Sequence, residues 1–241
     1  MKNRKIWVML VGLFTALTSG FMGTTLTFAE ENEASQTIEQ PSYISDFPNQ
    51  VGHWQDLVGT AEKKNDSAGL WIANTKQGTN LESVSINLDA REQSSGDLEL
   101  TFLYEGQSNF GLVFRGDKQK TSQWQSFAYN RDGRWQLGQP GGKWLTNIPG
   151  PTLLSGQQYK LLVRYDGKKI QTFLNDQLFY ENEEVHYPDG TSINDDWTGA
   201  VGIRLFGNLS KLNIISMKSG SVGSIPVIDS SAEYRELKEK W

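Results

Sequence analysis

Residues 127–137 read Phe127-Ala128-Tyr129-Asn130-Arg131-Asp132-Gly133-Arg134-Trp135-Gln136-Leu137. Large apolar side chains recur at every second position on both sides of Asp132-Gly133, a pair that accepts the positive φ of a tight turn. The stretch therefore predicts a hairpin of Phe127-Ala128-Tyr129 against Trp135-Gln136-Leu137. The same period of two extends upstream through Val84, Ile86 and Leu88, then Leu98, Leu100, Phe102 and Tyr104, then Phe110, Leu112 and Phe114. Downstream it continues through Tyr159, Leu161, Val163 and Tyr165, residues 170–174, then Val201, Ile203 and Leu205, and finally Leu212 and Ile214. Asp166-Gly167 predicts a second hairpin, residues 161–165 against 170–174. About ten to twelve short strands, with no helical period among them, predict an all-β chain folded as an antiparallel two-sheet β-sandwich of jelly-roll type. A propeller is excluded because no blade-length repeat is visible.

The flanks differ in character. Residues 1–29 read as a secretory signal peptide: Lys2, Arg4 and Lys5 charge the start, residues 6–17 are mostly apolar, and Thr27-Phe28-Ala29 places small residues at a cleavage position. Thr18, Ser19, Gly20 and Gly23 interrupt the apolar run and argue against a spanning helix. Removing this segment takes three positive charges from a chain of net charge −5 and leaves −8. That acidic balance lacks the basic face that nucleic acid or a membrane surface would need, so a secreted monomer is expected. The chain has no cysteine, so disulfides and thiolate metal sites are excluded and one core must supply the stability.

Residues 30–50, polar and acidic with Pro41 and Pro48, are expected to be a disordered linker. Residues 51–220 hold the sandwich pattern, and 221–229 read as a second linker. Ser230-Ser231-Ala232-Glu233 forms a capping box, and Tyr234, Leu237 and Trp241 follow at helical spacing, which predicts a short C-terminal helix over 230–241. A helix of that length is marginal alone, so either its apolar stripe folds back on the sandwich or, the favoured expectation, a helical domain follows it.

Few residues suit catalysis. His53 and His186 are far apart and outside any metal-ligand spacing, and neither a Gly-x-Ser-x-Gly elbow nor a phosphate-binding glycine loop occurs. Glu99 and Glu105 would stand about 20 Å apart on one strand, too far for a glycosidase pair, and are expected to be solvated. No catalytic residue, metal ligand or cofactor is assigned, and no acidic loop is specific enough to place a structural calcium. Trp124, Trp135 and Trp144, accompanied by Tyr129, are the strongest candidates for a function, although large rings also fill a sandwich and a core role competes evenly with binding for any one Trp. A flat ring stacks on the apolar face of a sugar while neighbouring polar groups bond its hydroxyls. The Pro140-Gly141-Gly142-Lys143 turn marks Trp144 for exposure. Between Arg115 and Lys143, six basic residues face two acidic ones, and Arg115 and Arg134 are the candidate polar anchors for a glycan. Strand alternation would equally divide these charges between two faces.

Residues 110–115, 127–135, 161–165 and 170–178 together resemble the laminin-G-like, concanavalin-A-like modules attached to bacterial glycan-degrading enzymes. Residues 233–241, Glu-Tyr-Arg-Glu-Leu-Lys-Glu-Lys-Trp, resemble the opening helix of the α-toroid catalytic domain of hyaluronate, chondroitin and xanthan lyases. The resemblance implies a non-catalytic carbohydrate-binding module, the N-terminal targeting domain of a hyaluronate-type lyase; the residues themselves suggest Trp135 and Trp144 as its platforms, Trp124 and Tyr129 beside them, and Arg115 and Arg134 as anchors. It leaves open whether the glycan is an anionic glycosaminoglycan, a mucin glycan or a fructan. A small sandwich-fold glycosidase or lyase and a protein-binding adhesin are the competing classes.

Overall fold

The structure, a computed structural model, describes residues 44–46, 51–67, 69–74 and 81–227. The signal segment 1–29, most of the linker 30–50 and the helix expected over 230–241 lie outside the described residues. Fifteen strands are defined among the described residues. They are β1 (Ile44–Asp46), β2 (Trp54–Val58), β3 (Glu62–Asp66), β4 (Gly69–Ala73), β5 (Glu82–Asn87), β6 (Gly96–Tyr104), β7 (Asn109–Gly116) and β8 (Gln125–Asn130). The remainder are β9 (Arg134–Gln139), β10 (Lys143–Ile148), β11 (Gln157–Asp166), β12 (Lys169–Leu174), β13 (Gln177–Asn182), β14 (Ala200–Phe206) and β15 (Lys211–Gly220).

These strands form two antiparallel sheets. One runs β13, β12, β11, β6, β15, β4, β3, with β1 added beside β15; the other runs β10, β9, β8, β7, β14, β5, β2. Both predicted hairpins form in the expected register, Phe127 opposite Leu137 and Tyr129 opposite Trp135, and Leu161 opposite Leu174 and Tyr165 opposite Ile170. The core lies between the sheets, because the alternating aromatics of facing strands meet there: Phe102 against Phe110 at 4.8 Å between ring centroids, Phe114 stacked on Tyr165 at 4.7 Å, and Tyr104 edge-on to Tyr129.

Both flanks depart from the expectation of linkers. Ile44–Asp46, inside the stretch read as a linker, pairs with residues 218–220 of β15. Residues 221–227 lie across the outward face of the eight-stranded sheet, where Ile225 is buried with Leu162, Phe173 and Leu178. The buried Asp97 carboxylate holds this segment, accepting bonds from the backbone N–H of Gly223 (3.2 Å) and Ile225 (3.0 Å) and both arms of a fork from Arg164 at 2.8 and 2.9 Å. Glu99 also differs from expectation, since it is buried beside Lys218 and not solvated, whereas Glu105 pairs with Lys211.

Candidate functional site

Register assigns each side chain of the seven-stranded sheet to a face, because directly opposed residues share one. Phe110, Leu112, Phe127, Tyr129, Trp135, Leu137, Ile203 and Leu205 face the core. The opposite, outward face carries Trp144 opposite Gly138, Gly138 opposite Ser126, Ser126 opposite Val113, and further across the sheet Arg204 opposite Gly111 and Val84. Small residues dominate the middle of that row and leave room for large ones at its ends. Gly138 makes the arrangement explicit: a Cβ there would stand 2.1 Å from Cε3 of Trp144, so the indole rests directly on the glycine backbone.

Trp124, just before β8, has the same parity as Ser126 and joins this outward layer. Its ring lies 6.2 Å from that of Trp144, and its Nε1 donates to the Thr121 carbonyl at 3.1 Å. Arg204 completes the cluster. Its guanidinium sits 4.2 Å from the ring centroids of both Trp144 and Phe206 and 5.5 Å from that of Trp124. Its Nε donates to a Glu82 carboxylate oxygen at 2.5 Å, and its Nη1 is buried without a hydrogen-bond partner among the described residues. Burial lowers the Arg204 pKa from its ordinary value, and the charge and hydrogen bond of Glu82 oppose that shift.

Trp124, Trp144, Arg204 and Glu82 line an open groove of about 590 Å³ between the turn at 140–142 and the loop at Thr121 and Ser122. Gly141 and Gly142 both adopt positive φ, which turns β9 into β10 tightly at the groove's margin. The volume and the aromatic lining suit a saccharide unit, with the half-buried Trp144 as the surface on which a ring can stack.

The residues expected as ligand contacts divide accordingly. Trp124 and Trp144 come together in the groove. Arg115, Tyr129 and Trp135 are interior, which corrects their expected role. Trp135 stacks on Phe127 and donates from Nε1 to the Pro151 carbonyl, and the Tyr129 hydroxyl accepts from the Leu153 N–H. Arg115 bonds the carbonyls of Ser94, Gly167 and Asn194 and the side chain of Gln125. Burial lowers its pKa, and Tyr165, Asp195 and Asp166 pull it back. Its inward turn has a local cause. Ala200 pairs with Gly116 and Gly202 with Val113, so β7 carries one extra residue there, and Arg115 takes φ 55°. Arg134 is exposed and bonds Asn147, but it stands four residues along the strands from the level of Trp144, roughly 13 Å away.

The basic segment is likewise dispersed. Lys118 pairs with Glu92, Lys120 with Asp117, and Lys143 bonds Thr191. Arg204 and Glu82 were absent from the expected site, although the run Val201, Ile203, Leu205 already set Arg204 on the opposite face from the core. The missing signal was cross-strand register, which alone brings positions 82, 124, 144 and 204 together. Among the described residues no cluster of three or more His, Asp or Glu side chains has the geometry to hold a metal ion, and no helix is long and apolar enough to cross a membrane.

No family model matches the chain. Over all 241 residues it is 99% identical to hyaluronate lyase HylB of Enterococcus faecalis, and it spans 24% of the length of that protein. Among solved structures it is similar to a Bacillus subtilis protein of unknown function with a galectin-like fold, at 14% identity and a TM-score of 0.52 over 71% of this chain and 91% of the other. It is also similar to the GlcNAcα1-4Gal-releasing endo-β-galactosidase of Clostridium perfringens, at 11% identity and a TM-score of 0.50 over 75% of this chain and 62% of the other. At such identities the two structures speak to fold alone, and the first of them shows that this antiparallel two-sheet sandwich has a galectin-like fold.

Proposed function

We propose that the sandwich is a secreted, non-catalytic carbohydrate-binding module that holds a polysaccharide lyase on its polymer. The observation that carries this reading is the groove in which Trp144, laid on Gly138 and backed by Arg204 and Trp124, offers an aromatic surface beside the Glu82 carboxylate. The near-identity to a stretch of a hyaluronate lyase supports the choice of parent enzyme, since the chain spans 24% of that protein. A module of this kind raises the local concentration of polymer at the attached enzyme without performing chemistry.

Calorimetric titration of the purified chain with hyaluronan, chondroitin, mucin glycan and fructan oligosaccharides tests the proposal. At least one of these is expected to bind, and Trp144→Ala is expected to weaken that binding by about tenfold or more, in line with loss of a stacking surface worth about 1.5 kcal/mol. Absorbance of unsaturated uronide on the same panel is expected to stay at background. Binding that survives in Trp144→Ala, or release of product by the isolated chain, would sink the reading. Export is part of the proposal, and the protein recovered from culture medium is expected to begin at Glu30.

A further inference from the structure

We infer that the groove takes an uncharged sugar unit, a hexose or N-acetylhexosamine, and reads a uronate-containing polymer through its neutral residues and not through its carboxylates. This inference rests on the glycan-binding reading of the same groove. It runs against the simplest expectation from the sequence, in which a basic segment attracts an acidic glycosaminoglycan.

Arg204 is the cation among the described lining residues, and each of the two forks of its guanidinium has one arm that a ligand cannot use. Its guanidinium carbon lies 4.2 Å from the ring centroids of both Trp144 and Phe206, its Nε donates to the Glu82 carboxylate, and its Nη1 is buried. A ligand carboxylate therefore finds no free fork on which to make the paired bonds that arginine offers to such groups. The accessible member of the pair is the anion. The Glu82 side chain is 32% exposed and that of Arg204 only 9%. A uronate entering beside Glu82 meets a like charge, which acts as a repulsive element in specificity. A sugar hydroxyl or amide N–H meets an acceptor in the same place. Thr121 and Ser122 add hydroxyls of either polarity, and the rest of the lining is uncharged: Leu57, Val58, Gly59 and the turn at 140–142.

The cations near the groove do not alter this balance. Lys120 is matched by Asp117 at 3.3 Å, Lys118 by Glu92 at 3.5 Å, and the Lys143 ammonium is drawn to the Thr191 hydroxyl at 3.0 Å, next to Asp189. Arg131 and Arg134 flank the turn at the other end of β8 and β9. What a ligand meets is an aromatic surface, one part-exposed carboxylate and neutral hydrogen-bonding groups.

The test compares a hyaluronan oligosaccharide with the same oligosaccharide after chemical reduction of its uronates to glucose, which removes the charges and keeps the backbone. The reduced oligomer is expected to bind the full chain at least as tightly as the native one, and the affinity for the reduced oligomer is expected to change less than about twofold between about 50 and 500 mM salt. Glu82→Gln is expected to weaken binding of the reduced oligomer. Preferential binding of the native oligomer by about tenfold, with affinity falling steeply in salt or rising in Glu82→Gln, overturns the inference while leaving a glycan-binding groove in place. Silence of both oligomers and of neutral glycans, with no effect of Trp144→Ala on any ligand, overturns the glycan reading itself.

Discussion

Arg115 and Arg204 occupy neighbouring strands of one sheet and meet opposite fates. Simple alternation would turn both outward, and Arg204 follows that rule into the groove. The extra residue in β7 rotates Arg115 inward, next to the core residue Phe114, where it bonds three carbonyls and Gln125. Removing it leaves several buried acceptors without donors, each costing about 1 to 3 kcal/mol. Arg115→Ala is expected to lower the stability measured by urea unfolding by about 3 kcal/mol or more, while calorimetry on the fraction that remains folded finds glycan affinity unchanged. A matching loss of affinity in the folded fraction would return Arg115 to the binding site. Lysine is not expected to rescue it, because one ammonium cannot reach the four acceptors that the planar guanidinium spans.

The β9–β10 hairpin turns this local chemistry into a shaped surface. Trp144 and Gly138 are opposite each other in register, and the absence of a side chain at Gly138 lets the indole lie across the sheet. Gly138→Val is expected to expel that ring, because a Cβ there also comes within 2.6 Å of the Lys143 carbonyl and no nearby adjustment clears both. Near-ultraviolet circular dichroism should change and glycan binding should fall to the level of Trp144→Ala; retention of wild-type binding would contradict this account of the platform.

The loop that supplies Thr121 depends on Asp117. Its carboxylate accepts from the backbone N–H of Gln119 at 2.8 Å and of Lys120 at 3.2 Å, and the bond from Gln119 leads the causes that hold its pKa below the ordinary value. A depressed carboxylate contributes fully above the unfolded value of about 4 and loses its contribution as pH falls through the lower folded value. Hydrogen exchange at the Gln119 amide is thus expected to accelerate in acid below that window, beyond the intrinsic pH dependence. In Asp117→Asn the extra acid-induced step should be missing.

Taken as a whole, the molecule joins its sandwich to the chain that follows through Asp97, a carboxylate with no exposure that ties Arg164 on β11 to the backbone of Gly223 and Ile225. Asp97→Ala leaves Arg164 without its buried partner and is expected to cost about 3 kcal/mol. Limited proteolysis is expected to cut between residues 221 and 227 in that variant well before the sheets are attacked, and equal protease resistance in both proteins would refute the clamp. Much of the architecture was already legible in the residue order. Period-two alternation and the Asp-Gly turns depend only on neighbours along the chain, so the all-β class, the sandwich and both hairpin registers followed from local rules. Trp144 was legible for a related reason, standing immediately after a glycine turn. The groove was not legible in the same way. Closeness in sequence between Arg115 and Lys143 carries no information on closeness in space, whereas the groove gathers Glu82, Trp144 and Arg204 from strands of one sheet and Trp124 from the loop before β8. A single inserted residue in β7 sends Arg115 into the core, and long-range register brings Arg204 to Trp144. Both depend on how strands pair at a distance, so periodicity along one strand carries no record of them.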